Sequence, residues 1–275
     1  MDFDPRDRDH DARDVEMPWV EADRDLQLNR DPEDVRGRDD DTRDRERDGD
    51  PRDVFVAGLE LPRGPEREVV LDGDRRYELN GDDSRTLATI GALRVVAERD
   101  LRESRDESHT REPDVRHLRN EGLVEVVRLD GPERVLTLTE RGRHLLDSHR
   151  RDRDEDARQA FHAGVSRPRE LSHDVQLYRA YVREEERLRE QGAEIRRVVL
   201  DAELKREYQQ WLQEHNRGRA DSDGRPDRDA GEIERWAHER DLPYFDEQVH
   251  FPDFRIEYEL EGRDRHEDVE VVTEH

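Results

Sequence analysis

The chain has 275 residues, room for about one to three small domains, and a formal net charge of -26 at pH 7. Charged residues make up 46% of it and hydrophobic residues 30%, which argues against one core running through the whole length. Cysteine is absent, which excludes disulfides, thiol catalysis and cysteine-ligated zinc. Net acidity also argues against non-specific nucleic-acid binding by the entire surface. No apolar run reaches the roughly 20 residues of a membrane span, and the first residues lack a signal peptide's apolar core. A cytoplasmic protein with no membrane partner is therefore expected. Lys205 is the only lysine. GC-rich codon usage accounts for that without function, and a salt-adapted proteome is a second account of the Asp excess.

Residues 1–53 alternate Asp and Arg, as in Asp4-Pro5-Arg6-Asp7-Arg8-Asp9. With so little to bury, they are expected to form a disordered acidic tail. Met17-Pro18-Trp19-Val20 is an apolar island within it, read as chance, with docking on a partner as the alternative. Order is expected from Asp53-Val54-Phe55-Val56 onward. A β-hairpin leader over 54–83 follows: Glu68-Val69-Val70-Leu71, a turn at Asp72-Gly73-Asp74, then Arg76-Tyr77-Glu78-Leu79. It is expected to pack on the next segment.

Residues 84–150 read as a winged helix-turn-helix. Ser84 suits an N-cap, and Leu87, Ile90, Leu93 and Ala97 recur at three- and four-residue spacing, giving a first helix one apolar stripe. Asp100 can cap a short second helix carrying Leu101, and the polar run 105–109 fits a turn. Pro113 suits the first turn of a third helix, with Val115 and Leu118 facing inward and Gly122 at its left-handed end. Two β-rich runs follow, 123–129 and 134–139, around the turn signal Asp130-Gly131, which Pro132 lengthens. A last helix starts near Thr139. The string LTLTERGRHLL at 136–146 looks like the wing-to-helix passage of many bacterial winged-helix regulators.

This segment holds 13 Arg against 13 Asp and Glu, so it is neutral and the excess negative charge lies elsewhere. Arg111, Arg116, His117, Arg119 and Asn120 lie on or beside the third helix, and Arg134 opens the second strand of the wing. Arginine can pair with guanine and asparagine with adenine, so this helix is expected to enter a major groove of double-stranded DNA. The alternative is a winged helix used for protein contacts, with these residues as an ordinary solvated face.

Residues 151–170 read as a linker, opening on the charge run at 150–156, and 171–275 as a small α/β domain. Ser172 starts a helix with Val175, Tyr178 and Val182 on one face and Leu177, Tyr181 and Leu188 on a neighbouring one, ended by Gly192. A strand is expected over 195–200. A helix from Asp201 carries Leu204, Tyr208, Trp211 and Leu212, and a loop covers 217–230. A short helix over 232–240 bears Ile233 and Trp236. Strands over 254–260 and 268–273 are expected to pair around Glu261-Gly262-Arg263-Asp264.

The chemistry sits at this last hairpin. Pro252-Asp253, a strand, a turn and Asp268-Val269-Glu270-Val271-Val272 have the layout of a PD-(D/E)xK nuclease hairpin. There Asp253 and Glu270 fall at the carboxylate positions that hold Mg²⁺, but the lysine position is Val272. The bland alternative is an acidic hairpin in an acidic protein. The histidines form no HExxH, His144 and His149 read as surface residues, and His173-Asp174 reads as helix capping. No phosphate-cradling glycine loop is present.

A winged helix, then Leu171-Ser172-His173-Asp174, two helices and Pro252-Asp253…Asp268-Val269-Glu270-Val271 resembles the replication-relaxation proteins of bacterial plasmids and mobile elements. The resemblance covers roughly residues 54–275. It implies a DNA-binding protein of replication or conjugative transfer, with a relaxase or replication protein as a further partner. It also implies a degenerate nuclease-like domain; Val272 departs from an active nuclease. The expected fold class is thus α+β. It comprises a winged helix-turn-helix, then a small PD-(D/E)xK-like α/β domain that is a fragment or a minimal version because the chain stops at His275 after a strand. A metal-dependent nuclease using Mg²⁺ at Asp253 and Glu270 is the enzymatic alternative.

Overall fold

A computed structural model describes residues 49–103, 114–128, 133–151, 158–165, 168–214 and 228–272. Most of the expected tail, the turns at 105–109 and 130–132, Arg111, Pro113 and most of the 217–230 loop lie outside the described residues. The described chain is α+β, with helices and small antiparallel sheets, and belongs to one compact unit.

It begins with Arg52, which is buried and clamped by Asp50 at 2.5 Å, and a one-turn helix α1 (Asp53–Val56). Strands β1 (Glu68–Asp72) and β2 (Arg75–Leu79) form the expected hairpin, with Val70 paired to Tyr77 on its buried face. Helix α2 (Gly81–Ala92) has its N-cap at Asn80, four residues before Ser84. Asn80 is the cap: its side chain accepts from the Asp83 N–H, and Asp83 returns a bond to the Asn80 N–H. The helix also stops sooner, because Arg94 is left-handed (φ 68°) and turns the chain into a buried strand β3 (Val95–Ala97). The expected stripe through Leu93 and Ala97 thus mixes a helix with a strand. A short apolar run has no period to betray the switch.

Helices α3 (Asp100–Glu103) and α4 (Val115–Asn120) follow, then strands β4 (Val124–Arg128) and β5 (Arg134–Leu138) and helix α5 (Glu140–Ser148). The sheet order is β3-β5-β4, all antiparallel. Thr139 ties the end of α4 to the start of α5. Its hydroxyl donates to the Gly122 carbonyl at 2.7 Å and accepts from the Gly142 N–H at 3.1 Å.

Beyond residue 157 come α6 (Leu171–Glu190), β6 (Glu194–Leu200), α7 (Asp201–Leu212), α8 (Ala230–Glu239) and the small strands β7 (Tyr244–Phe245) and β8 (Gln248–Val249). Strands β9 (Phe254–Leu260) and β10 (Arg263–Val269) complete a sheet in the order β10-β9-β6. The closing turn is tighter than expected. Only Glu261 and Gly262 form it, both with positive φ, so β10 ends at Val269 rather than running to 273.

One hydrophobic cluster joins Leu87, Leu118 and Leu145 to Leu177, Tyr181 and Phe254, so it runs across the segment read as a linker. Gln159 grips β6 through both backbone groups of Val198, at 2.9 and 2.8 Å. Phe161 is buried, and the His162 N–H donates to the Gly91 carbonyl at 2.8 Å.

Candidate nucleic-acid interface

The capping residue Asp114 aims α4: its side chain accepts from the His117 N–H at 2.9 Å and meets Arg67 at 2.8 Å. The His117 N–H, and after it Arg67, hold the Asp114 carboxyl below its usual range despite some burial. Val115 and Leu118 face the core, which leaves Arg116, Arg119 and Asn120 exposed. His117 is a different matter. Its Nε2 lies 2.7 Å from the Glu78 carbonyl, so the ring donates there and ties α4 to the leader hairpin. That bond positions α4 and commits the His117 Nε2.

The β4–β5 register sets Arg128 directly opposite Arg134. Like charges facing each other across a strand pair are unfavourable unless an anion comes between them. Arg134 is 60% exposed and reaches Glu98 only at 3.8 Å. Arg141, exposed at the start of α5, leans over the end of α4: a Cβ on Gly122 would sit 2.8 Å from its Nη1. Among the described residues Arg116, Arg119, Arg128 and Arg141 have no ion-pair partner. Arg116, Arg119 and Arg134 are among the residues expected from the sequence to face DNA; Arg128 and Arg141 are not. Strand pairing and the helix junction reveal those two, and neither has a signature in sequence spacing.

Asp253 and Glu270 are brought together, although Glu270 lies just past its strand and not within it as expected. Asp253 precedes β9 and Glu270 follows β10, and the pairing of Phe254 with Val269 sets them side by side. Burial, then the charges of Asp253 and Asp268, raise the Glu270 pKa. One Asp253 oxygen accepts from the Val271 N–H at 2.7 Å and lies 3.2 Å from His173 Nε2. His173 therefore does not cap α6, whose N-cap is Glu170 without a side-chain cap bond. Asp174 does not cap it either. It is buried opposite Arg94 Nη1 at 3.7 Å, and Arg94 Nη2 reaches Asp201 at 3.8 Å.

A Mg²⁺ that keeps several waters can be held by two carboxylates, and Asp253 and Glu270 are the pair that would supply them. Among the described residues no group of three or more such donors is arranged for a metal. The groups that would act on water are poorly placed. Val272 is 90% exposed and apolar. Lys205 on α7 is close enough to lower the Glu270 pKa slightly, but its ammonium is bonded to Asp201 at 2.7 Å. Arg255 is buried and committed to Asp268 and the Arg240 carbonyl, and Arg265 sits mid-strand opposite Tyr258.

No helix among the described residues is long and apolar enough to cross a membrane. Compared with protein-family models, with curated proteins and with solved structures, the chain matches none.

Proposed function

We propose that the chain binds double-stranded DNA through α4 and the β4–β5 hairpin, as a winged helix does, and does not cleave it. The carrying observation is that Arg116 and Arg119 on α4 have no ion pair among the described residues, together with the opposed Arg128 and Arg134, in a protein rich in carboxylates that could have neutralised them. The order helix, strand, helix, helix, strand, strand, with the first strand on the last, supports the winged-helix reading. Helix α6 ahead of the three-stranded antiparallel sheet of β6, β9 and β10, with α7, α8, β7 and β8 inserted between β6 and β9 and with Asp253 and Glu270 at adjoining strand ends, supports a PD-(D/E)xK-like reading of the C-terminal part. The sequence resemblance to replication-relaxation proteins supports a role in replication or transfer of a plasmid or mobile element, with a relaxase or replication protein as a further partner.

Absence of cleavage follows from what a phosphodiester needs. Water must be oriented or deprotonated, and fixed positive groups must meet the developing charge. Val272 does neither, Lys205 is held by Asp201, and arginine keeps its proton too firmly to act as a base. Supercoiled plasmid incubated with the protein and Mg²⁺ or Mn²⁺ is expected to stay supercoiled while being retarded in a gel. Nicking lost in both Asp253→Ala and Glu270→Ala would establish the nuclease instead. Retention of a protein partner without salt-sensitive DNA retention would establish the interaction module.

A further inference from the structure

The base of the β4–β5 hairpin is held from the far side of the 151–170 segment. Arg179, midway along α6, reaches two carboxylates of the preceding half. One is Asp100 at the start of α3, at 2.7 Å, and the other is Glu133 just ahead of β5, at 3.3 Å. It also donates to the Gln176 side chain one turn earlier, at 3.1 Å. Asp100 is buried and Glu133 is partly exposed. Burial works against the Arg179 charge, but the bond and charge of Asp100, then those of Glu133, outweigh it and raise the Arg179 pKa. Arg99 meets the same two carboxylates from the solvent side, Glu133 at 2.9 Å and Asp100 at 3.5 Å. Arg134 follows Glu133 in the chain and lies 3.8 Å from Glu98. The Glu98 N–H donates to the Arg134 carbonyl at 3.0 Å, which seats the start of β5 on the same base. Charge is therefore balanced among these side chains: Glu98, Asp100 and Glu133 against Arg99, Arg134 and Arg179.

We propose that Arg179 is a positioning residue for DNA, which satisfies Asp100 and Glu133 from α6 and so leaves Arg134 open to phosphate. The inference rests on the DNA-binding reading of the β4–β5 hairpin. Without Arg179, Arg99 alone serves two carboxylates. A buried carboxylate without a counter-charge is costly, so Arg99 turns to Asp100 and leaves Glu133 beside Arg134. Arg134 then pairs with its own protein, and a phosphate must displace that carboxylate before it can bind. Arg179 is not itself a phosphate contact, because all three guanidinium nitrogens are engaged. The C-terminal half contributes to the DNA surface through charge balance and not through contact.

The test is duplex binding by the full chain and its variants, followed by fluorescence anisotropy across a salt series. Arg179→Gln should weaken low-salt affinity by about fivefold or more, since one positive charge is lost and one carboxylate is released. It should also flatten the slope of log affinity against log salt by about one, the share of one phosphate contact. Arg179→Gln with Glu133→Gln restores the balance and should recover both affinity and slope. Arg179→Lys keeps the charge and should keep most of the affinity. Arg99→Gln upsets the same balance from the exposed side, so it covers the case in which Arg179→Gln does not fold. It should show the same loss and the same recovery with Glu133→Gln. Melting of the unliganded variants checks folding. A merely structural Arg179 would lower melting temperature and affinity together, without recovery on Glu133→Gln, and that result would overturn the proposal. So would parent-like binding by both Arg179→Gln and Arg99→Gln. No duplex binding by the parent would overturn the DNA reading, and this inference with it.

Discussion

Arg94 is buried and set between two carboxylates, Asp174 and Asp201. A left-handed φ at a non-glycine residue is uncommon, and here it lets the guanidinium reach both Asp174 and Asp201. Burial raises the Asp174 pKa, and the Arg94 charge pulls against that shift. A raised folded-state pKa means that the native protein holds the proton more tightly than the unfolded chain. The corresponding stability is full at low pH and is lost as pH rises through the folded pKa. Arg94→Ala leaves Asp174 buried without its counter-charge, so a loss of about 3–5 kcal/mol is expected at pH 7. The loss should be smaller in acid, where the carboxyl is protonated, and Arg94→Ala with Asp174→Asn should recover part of it at pH 7. Urea melts in acid and at pH 7 check this. An equal loss at the two would mean that the backbone turn matters and the ion pair does not.

At the scale of elements, the joint between α4 and α5 determines how the basic helix is presented. Gly142 packs so closely that a Cβ would lie 2.2 Å from the Leu123 carbonyl oxygen. Gly142→Ala must therefore move backbone, and a loss of about 1–3 kcal/mol is expected in chemical denaturation. Thr139→Val removes the cap and the bond to Gly122, at a cost of about 1 kcal/mol. Unchanged midpoints for both variants would show that the joint is loose. Much of this architecture was legible in the sequence. The Asp72-Gly73-Asp74 turn, the stripe on α6 and the Asp201 helix start are local signals, and they agree with the structure. The strand β3 was not legible, because three buried apolar residues look the same in a helix or a strand. The bond from His173 to Asp253 spans 80 residues, and the facing of Arg128 and Arg134 depends on register, so neither could be read from spacing. The shared core was hidden for a related reason: a charged stretch reads as a linker even when Gln159 and Phe161 within it are gripped by both halves.

For the molecule as a whole, a net charge of -26 sets two opposite responses to salt. Self-repulsion of the compact state is screened by added salt, so the melting temperature should rise between 0.1 and about 1 M NaCl. DNA affinity should fall over the same range, because bound counterions are released from phosphate on association. A melting temperature that falls with salt would show that the surface ion pairs outweigh the repulsion. The most direct check of the DNA-binding account is fluorescence anisotropy of a duplex across a salt series. It should compare the parent chain with Arg116→Ala, Arg119→Ala and the pair Arg128→Ala with Arg134→Ala. The parent should bind with log affinity falling linearly in log salt. Each α4 variant should lose about 1–3 kcal/mol on a preferred sequence, and the hairpin pair should flatten the slope by about two. Equal affinities and slopes for all four proteins, or no binding by the parent at low salt, would contradict it.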